Sequence, residues 1–290
     1  MTTGPTSEQP LLSLRLSVDY PNKPSVLTDV ALEIRRGEIV GLVGESGSGK
    51  STMALAILRL LHLKGGRTQG ELLFGGEDLV QKNERELRAI RGRRISVVLQ
   101  SPLTALNPAV RIGAQLSEAW RAHAKGGKDV CEHAIHEALR SVRLSSEDSF
   151  LRRRPSQLSI GQGQRVIIAM AILHRPELLI ADEATSALDT ITQSEILKLF
   201  ARLNRELGMA ILYISHDLLS VATLCHRIAI LNAGKIIESG TPQEIFNSPR
   251  HEYTRSLIAA LPARPYQEVP PTSHDDPLEQ LAAVTTTFGK

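Results

Sequence analysis

The chain has 290 residues, 42% of them hydrophobic and 22% charged, with a formal net charge of +3 at pH 7. That is the composition of an ordinary globular chain, long enough for one large domain or two small ones. So small a charge does not argue for a nucleic-acid partner, and the basic runs at Arg91, Arg93, Arg94 and at Arg152 to Arg154 are short enough to be solvated faces. The N-terminal "MTTGPTSEQP" lacks the charged and apolar regions of an export signal. The longest apolar run, Val166 to Leu173, is far below the roughly 20 residues of a membrane-spanning helix. A chain that neither crosses a membrane nor is exported is expected. Cys131 and Cys225 have no metal-ligand or disulfide spacing, which fits a reducing compartment.

In chain order, "LSLRLSVDY" reads as a strand ending at Tyr20. "EIVGLVG" is a buried strand that ends in glycine and runs straight into "ESGSGKSTMALAILRLL", whose helical spacing predicts a helix as far as Gly65 and Gly66. The apolar "ISVVL" delivers Gln100 at another strand end. From about Pro102 to Arg154 the pattern is helical ("IGAQLSEAW", "CEHAIHEALRSV") with a break at "KGGKD", as in a helical insertion. Strand character returns in "ELLIADE" and "MAILYISHD". Between them lies an amphipathic helix, "TITQSEILKLFARLNREL", with a T-x-x-E capping pattern at Thr192 and Glu195 and a closing Gly208. "RIAILNAGKIIESG" reads as a hairpin around Asn232 to Gly234. Strands alternating with helices predict an α/β fold with a largely parallel sheet. After Leu261 the chain turns polar and proline-rich, like a loose tail.

"GESGSGKS", Gly44 to Ser51, is the strongest chemical signal, because it fits G-x-x-x-x-G-K-[ST] between a strand and a helix. Gly44, Gly47 and Gly49 would let successive N–H groups face a β-phosphate at the positive end of the following helix. Lys50 would bridge the β- and γ-phosphates, and Ser51 would ligate Mg²⁺. At the end of "LLIADE", Asp182 would hold Mg²⁺ through its water shell, and Glu183 would orient or deprotonate the attacking water. Gln100 could reach Mg²⁺ or that water, His216 could hydrogen-bond the γ-phosphate, and Tyr20 could stack on adenine. Each of these three alone also has a plain structural reading. "QLSIGQGQRV", Gln157 to Val166, has the serine and glycines of a phosphate-facing loop but no lysine.

In this order the motifs resemble the ATP-binding subunit of an ABC transporter: an A-loop aromatic at Tyr20, Walker A, a Q-loop at Gln100, the signature "LSIGQ", Walker B, a D-loop "SALD" ending at Asp189, and a switch histidine at His216. The resemblance covers about residues 11–262. It implies a P-loop NTPase of ABC ATPase type, mostly parallel in its core, with an antiparallel β portion and a helical subdomain insertion. The implied core is about 11–101 and 166–240, the helical subdomain about 102–165, and a C-terminal helical extension about 241–262, with a flexible tail at 263–290. ATP would lie on Tyr20 and on Gly44, Glu45, Ser46, Gly47, Ser48, Gly49, Lys50, Ser51 and Thr52, with Mg²⁺ on Ser51, Gln100 and Asp182. The resemblance further implies two ATPase domains closing head to tail over two ATP molecules, so that Ser159, Gly161 and Gln162 face the partner's ATP. That explains a phosphate loop without its own lysine.

"RGRRISVVLQSPLTALNP" and "PRHEYTRSLIAALP" look like the dipeptide, oligopeptide and nickel importer class. This implies a motor subunit at the cytoplasmic face of the inner membrane, working with a second ATPase subunit, two integral membrane permeases and an extracytoplasmic binding protein. A peptide, nickel or a metal chelate all remain open as cargo. No cysteine follows Cys225, which sets aside the iron–sulfur role of longer members. A soluble ABC ATPase acting on nucleic acid or ribosomes is the alternative, and nothing here resembles its paired cassettes or inserted modules. Three residues depart from the family pattern. Ile160 stands where glycine is usual and would be strained at positive φ, Gly163 replaces a polar or basic residue, and Ala184 replaces a proline.

Overall fold

Alternation of apolar and polar residues gives β1 (Leu12–Tyr20), with Leu12, Leu14, Leu16 and Val18 buried, and β2 (Lys23–Ile34) returns antiparallel beside it. The computed structural model describes residues 9–261, so residues 1–8 and the tail expected at 263–290 lie outside the described residues. β3 (Ile39–Val43) is buried at every position and leads through Gly44–Gly49 into α1 (Lys50–Ile57). The apolar spacing that predicts a helix as far as Gly65 in fact spans a break. The helix ends at Ile57, Arg59 takes φ +55°, and Gly65 closes a separate 3-10 turn, Leu61–Lys64, at φ +72°. The pattern runs on because Leu58 and Leu61 stay buried in the same apolar cluster as α1. β4 (Arg67–Phe74) and the short β5 (Glu77–Asp78) complete an antiparallel sheet of order β2-β1-β4-β5. α2 (Glu84–Ile90) starts from a reciprocal capping box between Asn83 and Glu86.

After β6 (Ile95–Val98) the chain turns helical: α3 (Pro102–Ala105), α4 (Ile112–Arg121), α5 (Lys128–Ser141), α6 (Asp148–Leu151) and α7 (Ile160–Ile172). α5 packs on both α4 and α7. Burial of Trp120, Ile135, Leu139 and Phe150 fuses these helices into the apolar cluster beneath one face of the main sheet. α7 runs unbroken through residue 165, so the helical unit and the sheet share one rigid element.

β7 (Leu178–Asp182), α8 (Thr190–Leu207), β8 (Ala210–Ser215), α9 (Leu218–Leu224) and β9 (Arg227–Asn232) build the rest of the parallel sheet, and β10 (Lys235–Gly240) adds an antiparallel edge. The order is β10-β9-β3-β8-β7-β6. Alternate residues of each central strand enter two clusters: Leu179, Ala181, Ile211 and Tyr213 face the helical side, while Leu178, Ile180, Leu212 and Ile214 face the antiparallel sheet. Burial on both faces is what makes these strands read as continuous apolar runs. The turn between β9 and β10 is Ala233–Gly234, both left-handed at φ +45° and +76°, as a two-residue hairpin requires. The chain ends in α10 (Pro242–Asn247) and α11 (Glu252–Ala259). Among the described residues no helix is long and apolar enough to cross a membrane.

The capping pattern at Thr192 and Glu195 does not start a helix. Asp189 caps α8 instead, its Oδ1 accepting from the Ile191 and Thr192 amides at 3.1 and 3.0 Å. A carboxylate one turn earlier serves two orphan amides, which leaves Glu195 free to accept from Arg165 at 2.8 Å.

Candidate active site

β3 carries the chain to Gly44, where the backbone passes so close to β9 that an added Cβ would lie 2.2 Å from the Leu231 carbonyl oxygen. Only glycine fits this approach. Gly49, at φ +112°, turns the loop into α1. The loop closes on its own lysine: Lys50 Nζ donates to the carbonyls of Gly44 at 2.7 Å and Glu45 at 3.0 Å. The β9–β10 turn supports the far side, where the Gly234 amide donates to the Ser48 carbonyl at 3.2 Å. Lys50 is buried, and that burial pushes its pKa down against the opposing pull of Glu183 and Asp182.

β7 brings the two acidic residues to this loop. Burial raises the Asp182 carboxyl, while a hydrogen bond from Ser51 works the other way. Asp182 Oδ1 is buried without a hydrogen-bond partner. A hydroxyl and a carboxylate with a buried, orphaned oxygen, side by side, make a donor set suited to a small hard cation. Glu183 follows at φ +50°, its amide anchored to the Ile214 carbonyl of β8 at 2.9 Å. This strained turn re-aims the side chain, putting Oε1 4.0 Å from Lys50 Nζ and Oε2 2.8 Å from His216 Nδ1. Gln100 Nε2 donates to Ser186 Oγ at 3.0 Å, and Ser186 donates in turn to the Glu183 carbonyl at 3.0 Å. The three strand ends of β6, β7 and β8 are therefore wired together at one spot, beside the P-loop at the end of β3.

The loop and the side chains of Lys50, Ser51, Gln100, Glu183 and His216 face one open cavity of about 820 Å³, while Asp182 and Ser186 are not part of its lining. Tyr20, Gln100, Glu183, His216 and the stretch Gly44 to Thr52 line it, except Ser48, whose buried hydroxyl has no partner. Tyr20 stands at its edge with its ring against Gly66. Ser159, Gly161 and Gln162 do not line it. They open α7, where Ser159 Oγ accepts from the Gln162 amide and Gln162 Oε1 accepts from the Ser159 amide, both at 3.2 Å. Asp189 is likewise away from the cavity, as the α8 cap. Ile160 is the first residue of α7 and half exposed; it takes helical φ, and the strain feared for a β-branched side chain there does not arise. Gly163 has a packing reason, since a Cβ there would lie 3.1 Å from the Pro102 side chain.

Sequence reasoning missed Lys23, Val26 and Leu257 in the cavity wall, Ser186 as the partner of Gln100, and the Tyr253 hydroxyl, which accepts from the Glu45 amide at 3.2 Å. Tyr253 and Leu257 sit four apart, on one helical face, but nothing in "HEYTRSLIAALP" says which distant loop that face meets.

The sequence pattern of the ABC transporter family matches residues 27–186, from within β2 to just past Glu183. The chain belongs to the ABC transporter family. This ABC cassette is 44% identical over 263 residues to the peptidoglycan transport ATP-binding protein YejF of Agrobacterium fabrum, covering 89% of the chain and 48% of that protein. It thus spans about half of that relative's length. It is 42% identical over 251 residues to the dipeptide transport ATP-binding protein DppD of Escherichia coli, covering 86% of the chain and 77% of that protein. The dimeric ATP-binding cassette MJ0796, in a post-hydrolysis state bound to ADP and phosphate, superposes with a TM-score of 0.68 at 29% identity, covering 80% of this cassette and 98% of that chain.

Proposed function

We propose that this cassette is the ATP-hydrolysing motor subunit of a membrane importer, one that takes up peptides, nickel or a metal chelate. The observation that carries the reading is the cavity in which Lys50, Glu183 and His216 meet at the open end of the parallel sheet, where Glu183 is held between the other two. Lys50 and backbone amides of the loop at the start of α1 bind the phosphates, Tyr20 takes the adenine face, and Glu183 accepts the proton of the attacking water with His216 orienting it. Ser51 and Asp182 would hold Mg²⁺, with Gln100 reaching it on leaving Ser186; the ion supplies charge neutralisation on the phosphates.

The signature residues belong to a second site. Ser159 Oγ accepts from its own helix and so keeps its O–H to donate, at a helix N-terminus that favours an anion and outside the cavity described above. They complete the ATP site of a second cassette, in line with the dimeric state of MJ0796. Residues 102–165 would convey the closure to two integral permeases, at the cytoplasmic face of the inner membrane, with an extracytoplasmic binding protein supplying cargo. The names of the peptide-transport relatives favour this over action on nucleic acid or ribosomes. Purification from membranes tests it: two hydrophobic permeases should accompany the chain, whereas clean recovery with ribosomes or DNA sinks the reading.

A further inference from the structure

The peptide joining Gly44 to Glu45 is gripped at both edges. Its carbonyl accepts from Lys50 Nζ at 2.7 Å, and its N–H donates to the Tyr253 hydroxyl at 3.2 Å. The described chain has no cis peptide bond, so the carbonyl and N–H of this unit point in opposite directions within one plane. Fixing the N–H edge therefore fixes where the carbonyl points, and polarising the amide at one end strengthens the acceptor that holds the ammonium at the other.

Tyr253 is itself well anchored. The Arg250 and His251 amides donate to Glu238 of β10 at 2.7 and 3.1 Å, His251 Nδ1 caps the helix by accepting from the Tyr253 amide at 3.1 Å, and Thr254 is fully buried. One turn on, Leu257 lines the cavity beside Glu45. Burial, chiefly, keeps the Tyr253 pKa above the ordinary tyrosine value, so the hydroxyl stays neutral while its oxygen accepts from the Glu45 amide. The contact joins residues 208 apart in sequence.

We infer that Tyr253 is a positioning residue of the nucleotide site, acting through the Gly44–Glu45 peptide to place the Lys50 ammonium, so that the C-terminal helix α11 helps to set ATP affinity. The inference rests on the reading of this cavity as an ATP site. Because Lys50 contacts phosphate in both the ground and the transition state, loss of its support weakens binding uniformly and leaves the bound complex turning over normally.

The test uses the full chain and four proteins: wild type, Tyr253→Phe, Ser256→Ala and Lys50→Ala. Binding is followed with a fluorescent ATP analogue displaced by ATP, alongside steady-state hydrolysis and thermal melting. Among the described residues the Ser256 hydroxyl bonds only to the Glu252 carbonyl of its own helix, so it controls for general disturbance of α11. Tyr253→Phe should weaken ATP binding and raise KM roughly three- to tenfold, the range of one net hydrogen bond, with kcat and Tm unchanged. Wild-type affinity in Tyr253→Phe, with binding lost in Lys50→Ala, overturns the inference and spares the site. Equal losses in Tyr253→Phe and Ser256→Ala, or a fall in kcat and Tm at constant KM, overturn it too, by showing packing alone. Undiminished ATP binding in Lys50→Ala instead removes the reading of the cavity and the inference with it.

Discussion

His216 Nδ1 lies 2.8 Å from Glu183 Oε2, and the other oxygen of that carboxylate is 4.0 Å from Lys50 Nζ. Two residues from two adjacent parallel strand ends, 33 positions apart, thus share one hydrogen bond. The Glu183 carboxyl sits between an imidazole on one side and an ammonium on the other. The side chains proposed as base and orienting group therefore meet at one point.

Replacing Glu183 by Gln keeps the shape of the side chain but removes its ability to take a proton. ATP affinity should stay within about twofold while hydrolysis falls roughly 10²- to 10⁴-fold, the usual worth of a general base. His216→Ala should also slow turnover. Since the two act as a unit, the double variant should be no slower than Glu183→Gln alone. Single-turnover hydrolysis by the three variants checks this, and an additive double variant separates the two roles.

Ser159→Arg places a long cation where α7 would meet the second cassette's phosphate. The chain's own cavity contains none of the signature residues, so ATP binding by the isolated subunit should match wild type while hydrolysis by the assembled dimer collapses. A titration of the monomer against ATP, set beside the ATPase rate of the dimer, distinguishes the two. Weakened binding in the isolated subunit would place the signature in the wrong site.

Gly163→Leu forces a side chain against Pro102, where a Cβ alone would sit 3.1 Å away. Overpacking of this kind costs about 1–3 kcal/mol. Because it wedges α7 from α3, just after the Q-loop, the loss should show in denaturant unfolding and in hydrolysis, with ATP affinity preserved. Unchanged unfolding would mean that the helices separate freely there.

Glu238 supports the start of α11, and its pKa has a definite sign. Burial raises it, but hydrogen bonding, including that from the Arg250 and His251 amides, brings it below the ordinary value of 4.5. A depressed folded pKa means that the unfolded chain binds more protons, so this stabilisation is present above about pH 4.5 and is lost as pH falls through the folded value. Glu238→Gln loses one of the two acceptor oxygens and should lower stability by about 1–2 kcal/mol at pH 7. In melting curves the gap to wild type should close below pH 4.5. A gap that persists there would assign the loss to packing.

What the sequence determined by itself is the chemistry that local constraints encode. A glycine loop between a buried strand and a helix, an acidic pair ending the next buried strand, and the family's motif order are all short-range patterns, since each strand buried on both faces must be apolar and each strand end must then turn sharply. Where the pattern is ambiguous over a few residues, packing decided. The apolar spacing after Lys50 looks like one helix to Gly65, yet the left-handed Arg59 breaks it, because leucines in a 3-10 turn can fill the same cluster. Likewise Asp189 took the cap of α8 from Thr192 by serving two amides at once. Ile160 needed no positive φ once it became the first residue of α7. Contacts across the chain were decided by tertiary structure alone: Gln100 on Ser186, Glu183 on His216, and Tyr253 on the Glu45 amide. A hydroxyl or an amide side chain carries no mark of which distant backbone group it will meet. That choice is made when the sheet brings its strand ends together and the last helix packs down beside them.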